Sequence, residues 1–366
     1  MAEAFLITNS RWEEPPRIRH QVARLLLDHS VRVAFFERPS MAWVRQPCPI
    51  REVTKDLAIV QTKCLLHAQL RVVPPLAATN AAFSRWVLRA RRDSLGWSKD
   101  AIIINFMHDG AFLRDVFPRQ RLITLIHDDF EAQSHFPWFR HVTRALRATC
   151  EVSDQVLAVS TPLVARLKQW SPCELFLPWS VREYRAPSAA VGSRKVLLFW
   201  GSVDTAIDVD VVRQLSAECV RRGSDWKVLF VGPTERSDRR RRMTTILKQF
   251  PQVEIHPAAP LDDLPIDSVL AAVIPYGGAP HTKAITLANK SMQLLACGLP
   301  LLISGMPAFL RQPFILRIGE DGEVRDCCDQ VMDQFAEWQP LVRAFVESQR
   351  PSDRLRQLGF GKADSG

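Results

Sequence analysis

The residues with the plainest chemical capacity lie in the run 271–307, AAVIPYGGAPHTKAITLANKSMQLLACGLPLLISGMP. An apolar strand ends at Pro275 and Tyr276. A glycine-containing loop follows, then a helix with Asn289 and Lys290 in its first turn. A helix amino end presents free N–H groups and the positive pole of the macrodipole, so it favours phosphate, and Lys290 adds a point charge there. Gly298 and Pro300 stop this helix and feed the next strand. A second cluster, His127-Asp128-Asp129, closes the apolar run 122–126. A carboxylate or imidazole at a strand end can serve as a general base, with Asp128 the first choice and His127 the second. One of Asp128 and Asp129 is expected to cap the following helix, and the sequence leaves open which.

Other groupings have simpler readings. Asp204, Asp208 and Asp210 resemble a metal-binding pattern, but Asp208 fits better as the cap of a helix starting at Val209, and no metal is assigned. Arg236 and Arg239 to Arg242 form a basic run, read first as a solvated helix face and alternatively as a phosphate or membrane contact. The segment 83–97, FSRWVLRARRDSLGW, mixes Phe83, Trp86 and Trp97 with Arg85, Arg89, Arg91 and Arg92. It is either a core-packed helix with a solvated side or a cationic face for an anionic membrane. Eight scattered cysteines give neither zinc spacing nor a disulfide framework, as expected in a reducing cytosol.

The elements that must position these residues alternate strand and helix. Expected strands cover 4–8, 32–36, 56–60, 70–73, 101–105, 122–126 and 155–159, with helices over 17–28, 81–91, 139–148 and 162–170. After a proline-containing linker at 177–187, strands are expected at 195–200, 227–231, 253–256, 271–274 and 300–303. Helices are expected at 209–221, 243–249, 264–270, 289–297 and 329–358. Such alternation implies parallel sheets covered on both faces. Open sheets of this kind bind ligands at the carboxyl edge of their strands.

The block 289–300, NKSMQLLACGLP, resembles the donor-binding motif of GT-B glycosyltransferases, P-x-K-x-x-E-Y-x-A-x-G-x-P. The likeness extends to LLFWGSVDTAID at 197–208, LFVGP at 229–233, LITLIHDDF at 122–130 and DQVLAVSTPL at 154–163. It covers most of the chain at low identity. It implies an α/β chain of two Rossmann-like domains facing across a cleft, with the C-terminal helix packing back on the N-terminal domain. The boundaries are 1–182 for the acceptor domain, 183–345 for the donor domain and 346–366 for a helix and tail. It further implies that Lys290 binds the donor diphosphate, that position 293 contacts the nucleotide ribose and that Gly201 and Ser202 approach the donor. Tyr276 and Asn289 belong to the same donor set. Trp12, Arg17 and Arg19 fall in the loop lining the cleft. Two departures stand out: Gln293 replaces the usual Glu, and Glu13-Glu14-Pro15-Pro16 replaces a glycine-rich loop.

The implied activity is a hexosyltransferase that moves sugar from a nucleotide-sugar to a glycan or lipid-linked acceptor, in bacterial surface polysaccharide synthesis, without an obligatory metal or other cofactor. A nucleotide-sugar epimerase of the same fold and a non-catalytic binding relative are the alternatives. Charge is uneven: residues 1–185 hold 26 Lys and Arg against 18 Asp and Glu, whereas the remainder is nearly balanced at 22 against 21. The basic half suits an anionic partner such as a phospholipid surface. Nucleic acid is not expected, because no base-stacking or groove-reading motif is present. No apolar run reaches the ~20 residues that span a bilayer, and the amino terminus reads as a strand. The expected location is therefore cytoplasmic, at the inner face of the membrane if the membrane reading holds.

Overall fold

The computed structural model describes the whole chain except residues 15–16, 46–48, 68–69, 98–99, 135–138, 234–237, 320–321 and 361–366. Pro15, Pro16, Cys48, Arg236 and the extreme tail lie outside the described residues. The chain forms two compact units, Met1–Leu177 with Pro351–Gly366, and Pro178–Arg350.

The first unit holds β1 (Glu3–Ile7), β2 (Arg32–Phe36), β3 (Ser40–Met41), β4 (Ile50–Thr54), β5 (Leu57–Val60), β6 (Lys63–Cys64), β7 (Ile102–Asn105), β8 (Leu122–Ile126), β9 (Gln155–Ala158) and β10 (Cys173–Leu175). Eight of them make one sheet in the order β10-β9-β8-β7-β1-β2-β5-β4, parallel except for the β4–β5 pair. Strands such as β8, LITLI, are buried along their whole length, as continuous apolar runs in a parallel sheet must be. The strand order reverses between β1 and β7. There Ile7 pairs with both Phe36 and Asn105, so three strands end level. Their carboxyl ends deliver Thr8, Glu37 and Phe106 to one edge, the place where open sheets carry ligands. The helix Ile18–Asp28 turns Val22, Leu25 and Leu26 inward.

The second unit holds β11 (Val196–Trp200), β12 (Lys227–Val231), β13 (Val253–His256), β14 (Val269–Pro275), β15 (Leu301–Ser304) and β16 (Ile315–Arg317), all parallel, in the order β13-β12-β11-β14-β15-β16. Counted within the unit this is 3-2-1-4-5-6, the doubly wound order, with its switch point between β11 and β14. Arg194, fully buried, locks the entry to β11. Its guanidinium donates to Ala189 O (3.1 and 3.0 Å), Val269 O (2.9 Å) and Ile266 O (3.3 Å) and lies 4.8 Å from the Phe335 ring centroid.

Three expectations need correction. Residues 70–73 form a turn and not a strand, because the apolar pair Val72 and Val73 has no neighbouring strand to join. Residues 269–270 open β14 instead of ending a helix, and only a 3-10 turn, Ile266–Ser268, precedes them. The terminal helix is two helices, Val324–Ser348 and Pro351–Gln357. Pro351 lacks the N–H that would continue the first, and it suits the first turn of the second. That last helix packs in the first unit, where Arg354 donates to Leu177 O at 2.8 Å.

Candidate functional site

In the second unit the candidate residues gather at the switch point. β11 runs out at Trp200 into Gly201, whose φ of +149° lies in a region that side chains avoid. A Cβ at Gly201 would stand 3.1 Å from Lys290 Nζ. A Cβ at Gly232, after β12, would meet Gly201 O at 1.7 Å, so the two strand ends touch only because residue 232 is glycine. Lys290 belongs to the helix Asn289–Ala296, whose N-cap, Ala288, supplies no side-chain acceptor. The amino-end N–H groups are thus left to other partners. Lys290 Nζ lies 3.9 Å from the Phe199 ring centroid and 4.7 Å from that of Tyr276, and it forms no ion pair among the described residues. The two aromatic faces hold the ammonium by cation–π attraction.

On Ser202, next to Gly201, and on the helix of Lys290, three buried acceptor-capable atoms have no hydrogen-bond partner among the described residues: Ser202 Oγ, Asn289 Oδ1 and Gln293 Oε1. Gln293 is 6% exposed, and its Nε2 donates to Trp179 O at 3.3 Å. Orphaned atoms of this kind are open to a ligand group or to water. An ammonium beside hydroxyl and amide acceptors suits a molecule carrying both anionic oxygens and hydroxyl donors.

The expected aspartate cluster is structural. Asp208 caps the helix Val209–Arg222, accepting from Asp210 N (2.9 Å) and Val211 N (3.2 Å). Asp204 accepts from Ala206 N, and Asp210 pairs with Arg213. Among the described residues no three His, Cys, Asp or Glu side chains converge on a metal position. The described part of the arginine run lies on the exposed face of the helix Asp238–Leu247, with Arg241 paired to Asp238.

In the first unit Arg19, 5% exposed, donates from Nη1 to His127 Nε2 at 3.1 Å. Burial first, then Arg17, lowers the Arg19 pKa to about 10, which leaves it charged at neutral pH. Burial and the adjacent Arg19 push His127 well below its ordinary value. The imidazole is therefore neutral, with its Nε2 lone pair already engaged. Asp129 is the cap, accepting from Ala132 N (3.1 Å) and Arg166 Nη2 (2.9 Å). Asp128 is not the cap; it is half-buried and interacts electrostatically with Arg19. Trp12 packs edge-on against Phe35 at 5.1 Å and near His20 at 5.8 Å, and its backbone N–H donates to Glu37 Oε1 at 2.6 Å. Arg17 stands at the N-cap of the helix Ile18–Asp28, its N–H donating to His20 Nδ1.

Sequence reasoning missed the buried carboxylate Glu37 and the buried pair Arg71–Asp109 (3.3 Å) at this same edge. Glu37 directly follows an apolar strand, and that position is the signal that would have found it. The segment 83–97 lies in and just beyond the helix Leu76–Leu95. Arg85 pairs with Asp115, Arg89 and Arg92 donate to Asp115 O and Val116 O, and Trp97 packs on Phe5 and beneath Arg32. Trp86 stays 68% exposed. Among the described residues no helix is long and apolar enough to cross a membrane. The seven described cysteines are free, and burial raises Cys150, Cys173, Cys219 and Cys328 to about 12.

No protein-family model matches the sequence, and no curated protein matches it. Solved structures do resemble the fold. HepE of Anabaena in complex with UDP-glucose aligns at a TM-score of 0.66 and 11% identity over 98% of each chain. WaaG, a glycosyltransferase involved in lipopolysaccharide biosynthesis, aligns at 0.62 and 12% over 99% of this chain and all of that one. The α,α-trehalose 6-phosphate synthase of Burkholderia multivorans aligns at 0.61 and 11%, over 98% and 96%. The fold is GT-B. Within GT-B terms, β11 to β16 form the carboxyl-terminal Rossmann-like sheet, and the cation and orphaned acceptors lie at its switch point.

Proposed function

We propose that this GT-B chain is a glycosyltransferase that moves a sugar from a nucleotide-diphosphate-sugar to a hydroxyl of a glycan or lipid-linked acceptor. The observation that carries this reading is the Lys290 ammonium, without an ion pair among the described residues, on the helix that holds the orphaned Asn289 Oδ1 and Gln293 Oε1 and close to the Gly201–Ser202 turn. Solved relatives in fold that hold UDP or UDP-glucose lend support.

In this reading Lys290 and the amino end of its helix hold the diphosphate and take up the negative charge that grows on it as the glycosidic bond breaks. Gly201 lets the backbone come close, and Tyr276 with Phe199 fixes the lysine. Asp128 accepts the proton of the attacking hydroxyl. His127, kept neutral by burial and by Arg19, orients a substrate hydroxyl and takes up no proton of its own. Trp12, Arg17 and Arg19 shape the acceptor side. Lys290 supplies the cation that the departing diphosphate requires, so no obligatory metal or other cofactor is invoked. Surface polysaccharide assembly at the cytoplasmic face of the membrane is the proposed setting, with the exposed Trp86 and Trp43 as contacts to an anionic lipid surface.

Purified protein incubated with UDP-, GDP-, ADP- and dTDP-sugars tests the activity. Release of nucleoside diphosphate from one of them, lost in Lys290→Ala, is the expected outcome. Tight binding without release points to a non-catalytic relative, and interconversion of the sugar points to an epimerase.

A further inference from the structure

We propose that Arg19 and Arg17, at the start of the helix Ile18–Asp28, form an anion site in the first unit that takes a phosphate or carboxylate group of the acceptor. The proposal deepens the transferase reading by giving the acceptor a charge. It rests on that reading only in assigning the group to the acceptor.

Arg19 is a buried arginine whose charge the chain leaves unanswered. It is 5% exposed, and its guanidinium carries five N–H donors. Among the described residues its one hydrogen bond runs from Nη1 to His127 Nε2 at 3.1 Å, and its buried Nε has no partner. The histidine is neutral, so it answers none of the charge. The other buried arginines are provided for. Arg71 has Asp109 at 3.3 Å, Arg194 has carbonyl oxygens, and Arg354 has Leu177 O at 2.8 Å. Arg19 forms no ion pair among the described residues. Asp128 and Glu14 favour its charge from farther off, and Glu14 is already paired with Arg38 at 2.9 Å. A guanidinium out of water without a counter-charge is costly, and an anionic ligand offsets that cost.

The helix start points the same way. Its first turn holds no acidic residue, and Arg17 stands at the N-cap, where a small acceptor side chain is usual. Two arginines at the positive pole of the macrodipole oppose the helix and suit an anion. Arg17 is close enough to depress the Arg19 pKa. The backbone that carries them is tied down. His20 Nε2 lies 3.0 Å from Arg11 O, which can only accept, so Nε2 donates and Nδ1 accepts from Arg17 N at 3.1 Å. The contact with His127 brings the Arg19 guanidinium to the carboxyl end of β8. A group held there lies on the edge that carries the proposed base, Asp128.

The test uses Lys290→Ala, which removes the cation of the other unit. This protein is titrated calorimetrically with inorganic pyrophosphate, glucose 1-phosphate, glucuronate and uncharged glucose. At least one of the three anions should bind, and glucose should bind at least about tenfold more weakly. Adding Arg19→Met should weaken the bound anion about 10- to 100-fold. The tightest of the three decides between phosphate and carboxylate. Arg17→Gln, at an exposed position, should weaken the same anion about two- to fivefold. If Arg19→Met does not fold, unchanged affinity in Arg17→Gln overturns the inference.

No binding by any anion, or equal affinity with and without Arg19, overturns the inference and leaves the Lys290 site standing. That site is read separately, by nucleoside diphosphate in protein with Lys290 intact. A loss in Arg19→Met confined to nucleoside diphosphate gives Arg19 to the donor and also overturns the inference. Arg19-dependent anion binding in a chain that takes up no nucleoside diphosphate keeps the anion site and overturns the transferase reading.

Discussion

Arg19 Nη1 donates to His127 Nε2 at 3.1 Å, and this single bond decides what His127 can do. A guanidinium can only donate, so Nε2 must be the unprotonated nitrogen and the ring must be neutral. His20 and His108 are also held below their ordinary values by burial. Protons therefore bind the unfolded chain more readily than the folded one below about pH 6.5, the ordinary histidine value. Stability should fall as pH drops through that region and recover as it rises. Thermal unfolding from pH 8 to 5 should show this slope, and Arg19→Met should reduce it by removing the charge that adds to burial in holding His127 down. An unchanged slope in Arg19→Met shows that the pair does not control the ring.

The neighbouring aspartates should separate cleanly. Asp129→Ala removes the cap on Ala132 N and the partner of Arg166, so it should destabilise the fold by about 1–3 kcal/mol in urea unfolding. Asp128→Asn should leave the urea midpoint in place and lower turnover about 10²–10⁴-fold. The reverse pattern exchanges their roles.

Gly232→Ala should cost nucleotide binding without any contact to nucleotide. Its methyl would meet Gly201 O at 1.7 Å and force the Gly201–Ser202 loop away from Lys290. Fluorescence titration with the tightest nucleoside diphosphate checks this, and wild-type affinity in the variant would show that the loop position is immaterial.

Arg194→Met removes the guanidinium from the buried Val269 O and from the part-buried Ala189 O and Ile266 O, the last of which keeps the Val269 N–H as a donor. A buried carbonyl left without its donor costs about 1–3 kcal/mol, so a loss of about 1–3 kcal/mol is expected in chemical denaturation. A loss under about 1 kcal/mol would mean that water replaces the guanidinium at all three.

The sequence was most legible where an element answers to its own residues. β8 and β14 announce themselves as unbroken apolar runs, and Asp208 as a cap just ahead of a helical pattern. Short edge strands did not: β4 is mostly exposed and β10 and β16 are three residues each, so their pairing owes everything to the neighbouring strand. At the site, Lys290 and Asn289 stood out through their place at a helix start. The contacts that tune them did not, because Trp179 O reaches Gln293 across 114 residues and the Phe199 face reaches Lys290 from another strand. The separation of Arg71 from Asp109 hid that pair in the same way. Arginines 85, 89 and 92 looked like a free cationic face because their partners Asp115 and Val116 are distant in sequence.

One measurement bears most directly on the account: calorimetric titration of nucleoside diphosphate into wild-type and Lys290→Ala protein of equal circular dichroism. Removal of the only cation at the β11–β14 switch point identified among the described residues should weaken binding about 10- to 100-fold, as expected for a charge-assisted contact. Equal affinity in both proteins, or none in wild type, contradicts the assignment of this edge as the donor site.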